Sequence, residues 1–260
     1  MAQSEYAPAT PRRGFRLSTQ DVTVAGILGA VAIVLGYTPL GLIPFPTPAA
    51  NATTLHIPVI VAGILAGPIV GAFVGAIFGM VSFLRHTTPA FGNPIIALGP
   101  RILIGVVAAL VFSLLQRRYA RSLSAIALGG VIFTILGPGA ARFEAAYRAG
   151  KIAPTWLITA YHTVAAATAP QLWLDLAAAI AAAVIAYWLL AGENAAPAAA
   201  AVAGTLTNTI GVLSLMVALG FIPVGAAFVI AATHGLPEVL LAVVITVPVY
   251  RAVSVARGRG

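Results

Sequence analysis

The sequence predicts an all-α integral membrane protein, and three observations lead to that fold class. Of its 260 residues, 60% are hydrophobic and only 8% are charged, whereas a soluble domain carries about a quarter charged residues. The mean hydropathy is +1.02. Several apolar runs reach the ~20 residues that a helix needs to cross the hydrocarbon layer of a bilayer. We therefore expect six or more membrane spans.

The chain divides into a single membrane domain with two short tails. Residues 1–20 are polar and form a predicted cytoplasmic tail, residues 21–254 form the membrane domain, and residues 255–260 form a second cytoplasmic tail. The second and third apolar runs are short and flank Gly67-Pro68, which predicts a helical hairpin because proline suits the first turn of a new helix. The eight apolar runs cover residues 22–43, 55–66, 69–84, 95–115, 123–141, 165–190, 197–221 and 224–249.

Basic residues predict the orientation. Crossing the membrane at each run places nine of the 14 Lys and Arg on one side, and the positive-inside rule makes that side cytoplasmic. The net charge of +8 then needs no nucleic-acid partner. If residues 123–190 were re-entrant or peripheral, the orientation would not change, because the segment removes an even number of crossings. The nine residues are Arg12, Arg13, Arg16, Arg117, Arg118, Arg121, Arg251, Arg257 and Arg259.

The distribution of reactive residues argues against an enzyme. No two of the six acids lie at a spacing that places them on one helical face, and the four histidines are scattered. The chain has no cysteine, no H-E-x-x-H motif and no Walker lysine loop. We therefore predict no catalytic residues, no cofactor and no metal. Any use of ATP must come from a partner.

Polar groups inside apolar spans are costly, which makes them candidates for function. Arg101 lies near the outer end of the fourth run, where its guanidinium could clamp a carboxylate. The alternative is that it extends to the membrane interface or caps a carbonyl. Asn208 lies in mid-span and could instead bond between helices. His234 and Glu238 are four residues apart on one face and could pair with each other.

A polar cluster lies at the predicted outer end of the second run. Thr54 and His56 begin this helix, where free backbone N–H groups favour a negative ligand. The alternative is a threonine cap beside a solvated histidine. The loops that carry Asn51 and Asn93 end on the same side of the membrane as Arg101. This convergence favours a binding site.

Small residues recur along the first run at spacings of four, three and four. Such a stripe allows another helix to approach closely, either within this chain or on a partner. The stripe consists of Ala25, Gly29, Ala32 and Gly36.

Taken together, the sequence resembles the S-components, the substrate-binding membrane subunits of energy-coupling factor (ECF) vitamin transporters, in the pantothenate- and folate-type branch. The resemblance rests on three parts of the chain that cover about two-thirds of it in the family's order. They are IPFPTPAANATTLHIPVIVAGILAGPIVGAFVGAIFGMVSFL at 43–84, NPIIALGPRILIGVVAALVF at 93–112, and GTLTNTIGVL with ATHGLPEVLLAVVITVPV towards the C-terminus.

The resemblance implies a six-helix core that captures a water-soluble vitamin at its outer face. It also implies a transmembrane coupling subunit and two cytoplasmic ATPases as partners, with the small-residue stripe as the docking surface, and release of the vitamin by toppling in the membrane. Pantothenate is the first candidate, ahead of folate or another carboxylated vitamin. The predicted binding residues are Asn51, Thr54, His56, Asn93, Arg101, Asn208 and His234.

Two points depart from the family pattern. Residues 120–195 insert about two extra membrane segments between the fourth and fifth core helices, and His234 stands where the family usually has asparagine. The alternative function is a stand-alone secondary transporter that uses Glu238 and His234 as a proton relay. An intramembrane enzyme ranks third.

Overall fold

The computed structural model describes residues 17–44, 51–86, 88–115, 120–168, 171–189 and 192–258. Helices dominate this part of the chain, as expected for a protein in lipid, where backbone groups must be paired within the segment. The helices are α1 (Thr19–Tyr37), α2 (His56–Arg85), α3 (Pro94–Leu115), α4 (Ala120–Thr134), α5 (Ala140–Arg148), α6 (Trp156–Thr168), α7 (Leu172–Leu189), α8 (Ala195–Ala218), α9 (Val224–Ile230) and α10 (Leu236–Ala256).

Two π-helical turns join helices that continue one another. Ile135–Gly139 links α4 to α5, and Ala231–Gly235 links α9 to α10. Within the described residues, six helical segments are long and apolar enough to cross a membrane, and the α6 and α7 pair would add a seventh if it forms one span. The predicted all-α membrane fold is confirmed.

The chain leaves the helical state between α1 and α2. The first predicted helix extended to residue 43, but α1 ends at Tyr37 because Thr38 is extended, as residues before proline prefer to be. Two short strands follow, β1 (Leu42–Pro44) and β2 (Asn51–Thr53), and they pair antiparallel. This hairpin is absent from the all-α prediction.

Helix α2 folds back on itself at Gly67, as the Gly67-Pro68 pair predicted. Gly67 has φ 87° and ψ −179°, which interrupts the helix. In a straight helix, positions 63 and 71 would be about 12 Å apart, yet the backbone of Gly105 in α3 lies against both Gly63 and Gly71. Segments 56–66 and 68–85 are therefore two antiparallel arms, and both ends of α2 lie at one end of the bundle.

Glycines allow α2 and α3 to pack backbone against backbone. A Cβ atom at Gly75 or at Gly105 would overlap the backbone of the opposite helix, and one at Gly79 would lie 2.9 Å from the Cα atom of Leu98. Close approach of this kind drives helix association in membranes, where the hydrophobic effect between helices is lost. The main core joins this pair to α1, α8 and α10.

The small-residue stripe of α1 packs inside the chain. Gly29, Ala32 and Gly36 are buried, and a Cβ atom at Gly29 would lie 2.7 Å from Cδ1 of Ile77 in α2. Ala25 is partly buried against the same core. The structure therefore corrects the prediction of a docking surface, because α2 covers this face of α1.

The segment between α3 and α8 forms its own helical unit beside the core. Helix α4 packs closely on α7, where a Cβ atom at Gly129 would lie 2.9 Å from the carbonyl oxygen of Ala179. Helices α5 and α6 share an apolar cluster with α9, with Phe143 and Val229 fully buried. By length and composition, residues 124–148 could span the membrane; that the segment inserts about two extra spans stays a prediction.

The two ends of the bundle differ in character. Near the C-terminus, Nη1 of Arg257 donates to the carbonyl oxygen of Leu65, 3.3 Å away, beside the Gly67 turn. The opposite end carries the β-hairpin and both ends of α2. Six of the nine residues that predict orientation lie outside the described residues: Arg12, Arg13, Arg16, Arg117, Arg118 and Arg259.

Candidate binding site

A cavity opens at the end of the bundle opposite Arg257. The space between its walls, together with the open space at its mouth, is about 820 Å³. Its walls come from every helix of the core and from the β-hairpin. The polar residues that line it are Asn51, Thr53, Ser82, Arg85, Thr88, Arg101, Asn208, Thr209, His234 and Glu238.

Arg101 is the buried cation of this cavity. It lies about two turns into α3, and only 3% of its surface is exposed. Nη1 donates to the carbonyl oxygen of Ile96, 2.5 Å away, and the guanidinium carbon lies 4.7 Å from the ring centroid of Phe91 and 5.4 Å from that of Phe78. Nε has no hydrogen-bond partner in the described part of the chain. Burial rules out extension to the membrane interface; Nη1 does cap a carbonyl, as the other alternative has it, but Nε is left without a partner in the described structure.

Glu238 supplies a buried carboxylate from the first turn of α10. It is 5% exposed; Oε1 accepts from the backbone N–H of Thr53 at 2.7 Å, and Oε2 accepts from Oγ1 of Thr209 at 3.5 Å. These bonds connect α10 to both the β-hairpin and α8. Among the described residues, no carboxylate lies within 4.0 Å of the Arg101 guanidinium, so Arg101 and Glu238 attract each other only at longer range.

Asn208 faces the cavity from α8. The residue is 5% exposed, and its Oδ1 has no hydrogen-bond partner within the described ranges. Since a buried polar atom is normally paired, this oxygen is available to accept from a ligand. Bonding between helices, the alternative open at the sequence level, does not occupy it.

His234 lines the cavity and lies in the π-helical turn between α9 and α10. It is 3% exposed, and its Nδ1 lies 3.1 Å from Oγ1 of Thr233. A π-turn inserts an extra residue into the helix, which re-aims the side chains beside it. Glu238, the partner considered for His234, is instead bonded to Thr53 and Thr209.

Four of the seven predicted binding residues line the cavity, and three do not. The four are Asn51, Arg101, Asn208 and His234. Thr54 donates its hydroxyl to the carbonyl oxygen of Leu40 at 2.9 Å, so it supports the loop. His56 is fully buried beside the backbone of Thr53 and Glu238, behind the wall of the cavity. Asn93 accepts from the backbone N–H of Ile95 at 2.9 Å and caps α3.

The sequence prediction missed several cavity residues. From the sequence, Glu238 is considered a possible partner of His234 or part of a proton relay and is not predicted to be a binding residue; its position after a proline in an apolar span is the signal for a functional role. Arg85, Thr209 and the rings of Phe78 and Phe91 gave no signal of their own, because helical aromatic and threonine residues are common in membrane cores. Only the return of α2 at Gly67 places Phe78 and Arg85 beside α3.

The described residues contain no group of three His, Cys, Asp or Glu that could hold a metal ion. A cavity with a buried cation, a buried carboxylate and an amide is the kind of site in which a membrane protein binds a polar small molecule.

The family model for the substrate-specific component of ECF transporters matches residues 20–190 of the chain. The chain belongs to this family. No curated protein matches it in sequence. The protein is thus a multi-pass membrane subunit that binds a small-molecule substrate for transport and works with an ECF module; it is not an enzyme.

Proposed function

We propose that this subunit captures a water-soluble vitamin that carries a carboxylate, with pantothenate as the first candidate and folate or another carboxylated vitamin behind it. The vitamin enters the cavity from the extracellular side. The subunit then docks on a transmembrane coupling subunit with two cytoplasmic ATPases, and toppling of the docked subunit delivers the vitamin inward. The chain itself provides only the binding step.

Arg101 is the observation that carries this proposal. Burial of a guanidinium without a carboxylate partner costs free energy, because only close pairing offsets the desolvation of a charge. Contacts with the rings of Phe78 and Phe91 offset part of this cost. A ligand carboxylate supplies the rest, since carboxylate and guanidinium match in bidentate geometry. Asn51, Asn208 and His234 then select the hydrogen-bonding groups of the ligand.

The orientation of the cavity supports capture from outside the cell. The two described helix ends nearest the chain termini, at Gln20 and Arg257, lie at the end of the bundle away from the cavity. The basic residues of the sequence favour a cytoplasmic position for that end. We place the protein in the cell membrane with both termini in the cytoplasm.

Mass spectrometry of small molecules that co-purify with the subunit tests the proposal directly. We expect a carboxylated vitamin, and we expect calorimetry with the purified subunit to give saturable binding of that compound. The Arg148→Ala variant serves as a control, because the Arg148 side chain is exposed on α5, away from the cavity. Recovery of a ligand without any acidic group would refute the proposal.

A stand-alone secondary transporter remains the second candidate, because Glu238 and His234 both lie in the cavity where the last span is broken by a π-turn. Liposomes that contain the purified subunit alone separate the two functions. Proton-driven accumulation of the vitamin without ATPases would favour the second candidate. Binding without accumulation, followed by uptake once the ATP-driven module is added, is the result that we expect.

A further inference from the structure

We propose that the cavity accepts ligands with a single negative charge and with hydroxyl or amide N–H donors on the remainder of the molecule, and that Glu238 rejects ligands with a second carboxylate. This inference rests on the proposed function and deepens it, because it defines the charge class of the substrate. It also gives Glu238 a role in specificity.

The cavity offers one unpaired cation to a ligand. Arg101 is buried, its Nε is unpartnered in the described chain, and two aromatic rings flank its guanidinium. Arg85, the other described cation in the lining, donates to the carbonyl oxygen of Gly36 and lies over the ring of Tyr37. Arg85 is exposed at the mouth of the cavity, so water screens its charge. The deep part of the cavity therefore holds one carboxylate.

The other polar groups of the deep cavity include two acceptors that a ligand can reach, the carboxyl group of Glu238 and Oδ1 of Asn208. Oε1 of Glu238 accepts from the backbone N–H of Thr53, and Oε2 lies 3.5 Å from Oγ1 of Thr209; in its ionised form, a carboxylate has about four acceptor positions. Oδ1 of Asn208 is unpaired in the described structure. Buried hydrogen-bond acceptors need donors, and the hydroxyl and amide N–H groups of the ligand can provide those donors.

The charge balance decides how many carboxylates the ligand carries. Among the described lining residues, Arg101 is the one cation of the deep cavity, and Glu238 lies near it only at longer range. A single ligand carboxylate can pair with Arg101. A second ligand carboxylate would be buried without a cation, in a medium of low dielectric and near Glu238, where like charges repel.

Three ligands that share one skeleton test this inference. The first is pantothenate, and the second is pantothenyl alcohol, which lacks the carboxylate. The third is N-pantoyl-aspartate, which equals pantothenate with one added carboxylate. Calorimetry with the detergent-purified subunit should show that both analogues bind at least tenfold more weakly than pantothenate.

The Glu238→Gln variant isolates the role of Glu238, because the amide oxygen can still accept from the N–H of Thr53. We expect the ratio of the Kd of N-pantoyl-aspartate to that of pantothenate to fall at least fivefold in this variant. Glu193→Gln is the matched control, since Glu193 is exposed and lies outside the cavity, and it should leave the ratio unchanged.

The inference is overturned if the wild-type subunit binds N-pantoyl-aspartate as tightly as pantothenate, or if Glu238→Gln leaves the ratio unchanged. Neither result would affect vitamin capture itself. If Glu238→Gln does not fold, the comparison of the three ligands on the wild-type subunit still tests whether the cavity rejects a second carboxylate. If none of the three binds, pantothenate is the wrong vitamin, and a co-purified dicarboxylate or cation would then overturn the inference.

Discussion

The surroundings of each polar side chain decide whether its hydrogen-bonding groups are available to a ligand. Arg101 and Asn208 are both buried polar residues in membrane helices, and each retains an unpaired atom that faces a cavity. Asn93 and Thr54 are equally polar and close to the same end of the bundle, yet local backbone groups satisfy them. Burial, an unmet hydrogen-bonding group and a position on the cavity wall together distinguish candidate binding residues from capping residues; His56 is buried and unpaired in the described structure but does not line the cavity.

Replacement of Arg101 by alanine should weaken binding of the carboxylated ligand by more than tenfold, which corresponds to over ~1.4 kcal/mol. The cause is the loss of the only deep cation among the described cavity residues. Calorimetry on the purified variant measures the effect, with Arg148→Ala as the charge-matched control. Wild-type affinity in Arg101→Ala would remove Arg101 from the site.

Replacement of Asn93 by alanine should lower stability by about 1 kcal/mol, the usual cost of a lost N-cap, and leave ligand affinity unchanged. The side chain bonds to the N–H of Ile95 and does not line the cavity. The thermal midpoint in detergent and the Kd together test this role. A large change in Kd with an unchanged midpoint would return Asn93 to the binding site.

Whole helices in this fold are positioned by glycine. Gly67 reverses α2, and the glycines of its second arm bring that arm against α3. The same principle governs α1, whose buried glycines face α2. A smooth helical face thus serves packing within the chain, and the exposed face of α1 remains free to meet lipid or a partner.

Replacement of Gly29 by leucine should destabilise the isolated subunit by ~1–3 kcal/mol, the usual cost of overpacking. A side chain at this position would collide with Ile77. Gly26→Leu is the matched control, because a Cβ atom at Gly26 meets no atom within 4 Å. Equal thermal midpoints for the two variants would show that α2 does not cover the stripe.

At the scale of the whole molecule, the core forms the cavity and the inserted residues 120–190 do not contribute to its described lining. The described lining of the cavity comes from helices α1, α2, α3, α8, α9 and α10, the β-hairpin, and the turns beside them, and none of it comes from residues 120–190. Leu115 and Ala195 pack against the same small cluster, so the ends of the core on either side of the insertion lie close together. We therefore expect the core alone to bind the ligand.

A chain in which a flexible linker replaces residues 120–190 should still bind the ligand within about threefold of wild type. A linker of about eight Gly and Ser residues spans about 16 Å, enough to join neighbouring helix ends. Loss of the cluster between α5 and α9 should lower the thermal midpoint. Calorimetry and thermal unfolding measure the two effects; loss of binding in a folded variant would show that the insertion contributes to the site.

Much of this architecture is predictable from local patterns. Apolar run length gives the approximate positions and the order of the membrane helices, although not their number, Gly67-Pro68 gives the reversal of α2, and helical spacing shows that Ala25, Gly29, Ala32 and Gly36 share a face. Residue chemistry and span position also single out Arg101 and Asn208, because a polar group in lipid is costly wherever it lies. Run length, residue spacing and residue chemistry are properties of short segments, so they can be recognised in the sequence without the tertiary structure.

The tertiary structure decides what each face and polar group meets. Periodicity cannot say that α2 covers the stripe of α1, or that His56 lies behind the cavity wall while Asn208 faces the space within. The bond from Thr53 to Glu238 joins residues 185 positions apart, and no local pattern encodes such a distance. The sequence by itself determined the helices and their candidate polar groups; only packing determined which of those groups line one cavity.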